Sequence, residues 1–112
     1  MAGMKFWVVF AVLLVCAGVA RADSAVVEAQ LTLFNNTFDP QTLNVPAGKK
    51  IKLTVVNKDS KAAEFESSDL DREKVVPANG QIYVYIGPLD PGTYDFFDDF
   101  HHSTTTGTII AK

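Results

Sequence analysis

The sequence predicts an all-β domain, and three features of the chain support that prediction. Short apolar runs with a period of two recur at spacings of roughly 8 to 15 residues. Turn-forming pairs such as Asn35-Asn36, Ala47-Gly48 and Asn79-Gly80 separate these runs. No segment after residue 22 sustains the 3.6-residue period of a helix. Seven short strands in this arrangement are typical of a two-sheet sandwich or a barrel.

Four of the predicted strands lie in the first half of the domain. The first, 26–34, places Leu31 and Leu33 on the same face. The second, 42–45, stops at a turn that begins with Pro46. The third, 51–56, alternates strictly between apolar and polar residues, as a half-buried strand should. A shorter strand is expected at 63–66, and residues 68–76 are expected to hold one or two helical turns at most.

Three more strands complete the domain, at 81–86, 93–97 and 108–111. The first of them alternates as strictly as the strand at 51–56, so these two strands supply the predicted core. Its residues are Ile51, Leu53, Val55, Ile82, Val84 and Ile86. The chain contains no internal repeat, so we expect a single domain.

The first 22 residues have the pattern of a secretory signal peptide. Lys5 precedes an apolar run, and Ala20-Arg21-Ala22 forms a small-x-small cleavage site. The apolar run has about 15 residues, fewer than the roughly 20 that a transmembrane helix needs, so an uncleaved anchor is the minor alternative. We expect residues 1–22 to be removed and residues 23–112 to form the exported domain, with no membrane insertion of the mature chain.

Size, charge and cysteine content exclude several classes of protein. About 90 residues are too few for a Rossmann enzyme or a barrel enzyme. Lys5 and Arg21 leave with the leader, so the mature domain keeps eight of the ten basic residues and all 13 acidic ones. Such an acidic domain is a poor partner for phosphate backbones, and we expect no nucleic-acid binding. The single cysteine, Cys16, lies in the predicted leader, which leaves no thiolate ligand.

One group of potential cation ligands is Glu64-Phe65-Glu66. Residues two apart share a face of a strand, so both carboxylates point the same way. If Phe65 faces the core, the carboxylates face outward. The alternative is a solvated strand face that discourages edge pairing.

A second group of potential ligands lies at 95–102, where both histidines follow three aspartates. Imidazole with carboxylate suits zinc, copper, iron or manganese, and the lack of a cysteine argues against a blue-copper centre. Adjacent histidines of a strand point to opposite faces, so we expect at most one of them at any one site. The alternative here is a surface loop with two exposed histidines.

The order of these motifs resembles that of a cupredoxin. Phe38-Asp39-Pro40, then Leu43-Asn44-Val45-Pro46-Ala47-Gly48, then the strand at 51–57 are similar to the first half of that family. The segment 89–96 (LDPGTYDF) is similar to the strand that leads into the family's copper loop. The resemblance covers residues 26–112 and implies an antiparallel Greek-key β-sandwich.

Three of the four ligand positions of a blue-copper cupredoxin carry other residues here. By the resemblance, Asp98 stands at the cysteine position, Ala63 at the mid-chain histidine and Thr105 near the methionine. Only His101 keeps the family's side chain. We therefore expect no type 1 copper site.

The segment Glu64-Phe65-Glu66 with the following SSDLDREK resembles the cupredoxin-like proteins of bacterial periplasmic ferrous-iron uptake systems (Efe/Ftr type). That resemblance implies a periplasmic location, an iron or copper ion as cofactor, and a role in ferrous-iron acquisition. The implied partners are a periplasmic iron-binding protein and an inner-membrane iron permease. Oxidation of Fe²⁺, or transfer of electrons or metal to a partner, stays open as the activity.

Iron prefers carboxylate and imidazole ligands, and Asp98 would replace a soft ligand by a hard one at the same loop position. The predicted metal ligands are Glu64, Glu66, Asp98 and His101, with Asp99 and His102 as weaker candidates that would orient the first ligands. A different class of function is a cupredoxin-shaped interaction module that has lost its metal and binds a protein partner. A third alternative is a copper site without a thiolate.

Overall fold

The computed structural model describes residues 25–112, which form nine β-strands and one short 3₁₀ turn. The strands are β1 (Val27–Phe34), β2 (Thr37–Asp39), β3 (Thr42–Val45), β4 (Ile51–Asn57), β5 (Ala63–Ser67), β6 (Arg72–Val76), β7 (Gln81–Ile86), β8 (Gly92–Asp98) and β9 (Thr106–Ala111). The 3₁₀ turn (Asp99–His101) lies between β8 and β9. Within 25–112 no helix is long and apolar enough to span a membrane. The predicted signal peptide lies outside the described residues.

The strands form two sheets that pack face to face. One sheet has four strands in the order β2-β1-β4-β7, and the other has five in the order β3-β9-β8-β5-β6. The predicted all-β sandwich is confirmed. The sheets are mixed rather than purely antiparallel, because β1 is parallel to β4 and β3 is parallel to β9. Strands joined by a hairpin must be antiparallel, whereas strands that meet after a crossover can be parallel.

The core lies between the two sheets and contains all six residues that alternation predicted. Ile51, Leu53, Val55, Ile82, Val84 and Ile86 are all buried. The ring of Phe96 packs against Phe38 and Phe65, with centroid separations of 5.0 and 5.5 Å. Complete burial of one such side chain stabilises the fold by about 1.5–3 kcal/mol, so this aromatic group anchors the five-stranded sheet to the core.

Two elements differ from the sequence prediction. Residues 72–76 form a strand that pairs with β5, whereas the sequence predicted no strand at 68–76 and allowed one or two helical turns there at most. The extra strand β2 pairs with β1 across a two-residue turn at Asn35 and Asn36, both of which have positive φ. Asparagine tolerates that left-handed conformation, which hairpin turns of this length require. In both cases a neighbouring strand supplies the hydrogen bonds that stabilise the element.

The pairing of β5 with β8 brings the two predicted ligand groups side by side. Phe65 lies opposite Asp98, and Glu66 lies opposite Phe97. The 3₁₀ turn, which follows β8 directly, therefore lies at the end of the sheet where β5 begins. This end of the sandwich carries every predicted ligand.

Candidate metal centre

Glu64 and Glu66 lie on the outer face of β5, as the alternation predicted. Phe65 between them is 1% exposed and packs in the core, whereas both glutamates are half-buried. Glu73 of the neighbouring strand β6 lies opposite Glu66 and also points outward. The outer face at this point of the sheet is therefore strongly acidic.

Asp99 joins the two glutamates. One carboxylate oxygen from each of Glu64, Glu66 and Asp99 lies within 4.8 Å of those of the other two. These three residues are called the carboxylate cluster below. Asp99 reaches the cluster because the chain leaves β8 and turns into the 3₁₀ helix at this residue. Carboxylate oxygens are the donors that hard cations prefer.

Electrostatic repulsion acts within the carboxylate cluster. Partial burial raises the pKa of Glu64, and a hydrogen bond with Asp99 and the charge of Glu73 raise it further. Partial burial also raises the pKa of Glu66, with added contributions from Asp99 and Glu73, while His102 lowers it. Carboxylates whose negative charges oppose one another gain stability from a proton or a cation between them.

His102 lies beside the carboxylate cluster on the same outer face. Its ring stacks on Phe97 with a centroid separation of 4.0 Å and an interplanar angle of 16°. Phe97 is the strand partner of Glu66, so the stack holds the imidazole next to that carboxylate. Of the two histidines, His102 is therefore the one that lies on this face, although its ring nitrogens are not among the atoms of the carboxylate cluster.

Asp98 and His101 lie on the other side of the sheet. The Asp98 side chain is 1% exposed and accepts three hydrogen bonds. Its Oδ1 accepts from the backbone N–H of Glu64 at 2.9 Å and of Phe100 at 3.0 Å. Its Oδ2 is 3.0 Å from Nδ1 of His101, whose side chain is 30% exposed. Within residues 25–112, the other ring nitrogen of His101, Nε2, has no hydrogen-bond partner.

The structure thus brings the six predicted residues to one end of the sandwich but divides them into two groups. Glu64 and Glu66 meet Asp99, one of the two weaker candidates, while Asp98 pairs with His101. The reason is the alternation of β8, in which Phe96 and Asp98 face the core and Phe97 faces outward. The sequence did not reveal this separation, because Phe96 and Phe97 are both apolar and either could have faced the core. Metal binding by these residues remains a prediction.

The four residues that the resemblance places at the copper-ligand positions of cupredoxins lie close together. Asp98, His101 and Ala63 line a depression of about 200 Å³. Thr105 is buried close by, and its hydroxyl donates to the backbone oxygen of Asn36, another lining residue, at 2.8 Å. A carboxylate, a methyl group and a hydroxyl replace three ligands there, so these residues do not fit a type 1 copper ion.

Comparison with known proteins shows the family of the chain. Residues 5–111 match the family of the cupredoxin-like domain, and the chain belongs to that family. It is 38% identical over 95 residues to the uncharacterized protein RP394 of Rickettsia prowazekii (strain Madrid E), which covers 85% of this chain and 76% of the relative.

Two solved copper proteins share the fold at low sequence identity. Auracyanin A, a blue copper protein of Chloroflexus aurantiacus, superposes with a TM-score of 0.69 at 14% identity, over 79% of this chain and 100% of the other. A purple cupredoxin of Nitrosopumilus maritimus gives a TM-score of 0.60 at 18% identity, over 75% and 99% of the two chains. The fold of this protein is therefore that of a family related to copper-binding proteins.

Proposed function

We propose that this protein is a periplasmic metal-binding protein that serves ferrous-iron acquisition, with the carboxylate cluster as its metal site. The observation that carries the proposal is the convergence of Glu64, Glu66 and Asp99, whose carboxylate oxygens lie within 4.8 Å of one another. The cluster combines two residues of the motif that resembles iron-uptake proteins with one residue of the loop that holds the metal in cupredoxins.

The chemistry of the cluster favours a hard cation. Carboxylate oxygens suit iron better than the soft thiolate and thioether of a blue-copper site would. His102, held by its stack on Phe97, lies near Glu66 and lowers its pKa, so it would affect binding through its charge. The exposed side of the cluster leaves coordination positions for water or oxygen. Iron is the proposed ion, and copper is the alternative that the family's solved members support.

The proposed role is to bind the ion after export and to pass it on. The partners would be a periplasmic iron-binding protein and an inner-membrane iron permease, as the resemblance of the segment 64–74 to iron-uptake proteins implies. A half-exposed site at one end of a small domain suits transfer, because a partner can approach the ion directly. The proposal leaves open whether the site also oxidises Fe²⁺. Measurement of oxygen consumption after Fe²⁺ is added to the protein tests this.

A second candidate function is a metal-free interaction module. Two large aromatic side chains at the ligand-bearing end favour it: Phe34 is 62% exposed and Phe100 is 51% exposed. Phe34 directly precedes Asn35 and Phe100 directly precedes His101, and both of these neighbours line the depression described above. Exposed aromatic residues are common anchors of protein interfaces.

Titration of the purified domain (residues 23–112) with Fe²⁺, Cu²⁺ and Zn²⁺, anaerobically for Fe²⁺, tests the proposal. We expect the wild type to bind one ion, and Glu64→Gln and Asp99→Asn each to weaken binding at least about tenfold, or about 1.4 kcal/mol. Glu28→Gln is the matched control, because Glu28 is an exposed carboxylate of β1 in the other sheet. If the wild type binds no ion, or if all variants bind like the wild type, the cluster is not the site and the interaction module becomes the better function.

A further inference from the structure

The buried carboxylate of Asp98 is the least expected group at this end of the molecule. Removing a charged carboxylate from water costs free energy unless hydrogen bonds replace its hydration. Here two backbone N–H groups and one imidazole do so, and bonds of this kind to an ionised group are strong. A group that is buried and fully bonded in this way fixes the position of its donors.

The two backbone donors belong to the segments that carry the carboxylate cluster. One is the N–H of Glu64 itself, on β5. The other is the N–H of Phe100, the residue directly after Asp99 in the 3₁₀ turn. A single oxygen, Oδ1 of Asp98, therefore links the backbone of Glu64 to the backbone of the residue that follows Asp99.

The same residue also closes the loop that follows. The backbone N–H of Asp98 donates to the oxygen of Thr105 at 2.9 Å, and the N–H groups of Thr104 and Thr105 donate to the oxygen of His101 at 3.1 and 3.0 Å. Residues 98–105 thus form a closed loop whose start is anchored to β5 by a side chain. This anchor adds a second link between the segments of Asp99 and Glu64, beside the pairing of β5 with β8.

We infer that Asp98 is a positioning residue of the metal site and does not itself bind the ion. The inference rests on the proposed function. Asp98 holds the backbones that carry Glu64 and Asp99 in place, so that little conformational freedom is lost when one cation binds both carboxylates. A role as ligand of the cluster's ion conflicts with the geometry, because the Asp98 side chain lies on the core face of β8, on the opposite side of the sheet from the cluster.

Two substitutions of Asp98 distinguish positioning from ligation. In Asp98→Asn, the side-chain oxygen still accepts hydrogen bonds from the backbone N–H groups of Glu64 and Phe100. The side-chain NH₂ group then faces His101 and donates to Nδ1, which is unprotonated in the other tautomer of the imidazole. We expect this variant to bind Fe²⁺ within about threefold of the wild type. Asp98→Ala removes all three bonds, and we expect at least about tenfold weaker binding, as is common when a group that orients metal ligands is lost. Asp95→Asn controls for the loss of one nearby negative charge.

A readout on the metal-free protein accompanies the titrations. In the wild type, we expect the hydrogen-bonded amide protons of Glu64 and Phe100 to have downfield chemical shifts and slow hydrogen exchange. Asp98→Asn should keep both properties, and Asp98→Ala should lose both. If Asp98→Asn binds as weakly as Glu64→Gln while its amides are unchanged, Asp98 is a ligand and the inference is wrong. If Asp98→Ala, folded by circular dichroism, binds like the wild type, Asp98 does not position the site. Absence of binding by the wild type refutes the proposed function itself, which is a separate result.

Should Asp98→Ala fail to fold, Asp98→Ser replaces it. Serine keeps one acceptor but is too short to reach both backbone N–H groups, so it should behave like alanine in the titration. Binding by Asp98→Ser within about threefold of the wild type would overturn the inference in the same way.

Discussion

At the scale of single residues, the carboxylate cluster makes the protein sensitive to pH. A carboxyl group with a raised pKa in the folded state binds more protons there than in the unfolded chain. The folded state is then favoured at low pH and loses this advantage as the pH rises through the raised pKa. Glu64 and Glu66 both fall in this class.

We therefore expect Glu64→Gln to raise the unfolding temperature of the metal-free protein at about pH 7, where glutamate is charged and glutamine is not. The difference should disappear at about pH 3.5, below the usual glutamate pKa of about 4.3. Thermal unfolding at both pH values in the presence of a chelator measures this, with Glu28→Gln as control. A lower unfolding temperature of Glu64→Gln at neutral pH would contradict the repulsion described here.

Metal binding should show the opposite dependence on pH. The ligands must be deprotonated, so protons compete with the ion for Glu64 and Glu66. Affinity should fall as the pH is lowered toward the raised glutamate pKa values, and the fall should begin at a higher pH than for carboxylates with ordinary pKa values. Titrations with Fe²⁺ at several pH values measure the slope, and a pH-independent affinity would place the ion elsewhere.

At the scale of elements, the packing of β8 on β9 depends on one glycine. Gly107 lies opposite Phe96, and a Cβ at this position would overlap the Phe96 ring and come within 2.9 Å of the backbone oxygen of Gln41. A methyl group here therefore displaces an aromatic ring of the core.

We expect Gly107→Ala to lower the free energy of unfolding by about 1–3 kcal/mol, which is typical of overpacking. The matched control is Gly92→Ala, because a Cβ at Gly92, also a β8–β9 position, meets no atom closer than 3.8 Å. Urea denaturation of the three proteins measures the difference. Equal stability of the two variants would show that Phe96 can move without cost.

The edges of the two sheets are protected by charged side chains. β7 is an edge strand of its sheet, and β6 is an edge strand of the other. Arg72 and Lys74 of β6 donate to the backbone oxygens of Tyr85 and Tyr83 on β7, at 3.0 and 3.2 Å. Inward-directed charges of this kind blunt an edge against pairing with another chain.

The double variant Arg72→Thr/Lys74→Thr should therefore self-associate more than the wild type, because it uncovers the carbonyl groups of β7. Sedimentation velocity at several protein concentrations measures this. The control is Lys49→Thr/Lys58→Thr, which removes two exposed lysines away from that edge. A monomeric double variant would mean that the edge is protected by twist or by Tyr83 and Tyr85 alone.

At the scale of the whole molecule, a domain without a disulfide should gain stability from the bound ion. An ion that binds only the folded state at about 100 times its dissociation constant adds about 2.7 kcal/mol to the free energy of unfolding. We expect Fe²⁺ to raise the free energy of unfolding of the wild type in this way and to have no such effect on the double variant Glu64→Gln/Asp99→Asn. Thermal unfolding at graded metal concentrations measures both, and an equal gain in the variant would point to another site.

Export of the chain stays a prediction at this scale. Cleavage after Ala22 should release a protein that begins at Asp23, because the leader combines Lys5, an apolar run and a small-residue site. Intact-mass analysis of periplasmic extracts measures it. A mass that includes residues 1–22 would show that the leader is retained.

Much of the fold could be predicted from the sequence because strand patterns are local. Alternation identified the core strands, and residues such as Ile51 and Val84 are buried as expected. The strand at 72–76 could not be identified in this way, because Arg72-Glu73-Lys74 has no apolar alternation and is a strand only through its pairing with β5.

The sequence by itself determined which residues could bind a cation and that Glu64 and Glu66 share a face. Only the tertiary structure decided which of the candidates meet. Asp98 and Asp99 are neighbours in the chain, yet the last position of β8 faces the core and the first position of the 3₁₀ turn reaches the outer cluster. That outcome depends on the register of β8 against β5. The packing of Phe96 on Phe65 between the sheets favours that register, because a shift of β8 by one residue would turn Phe96 away from Phe65.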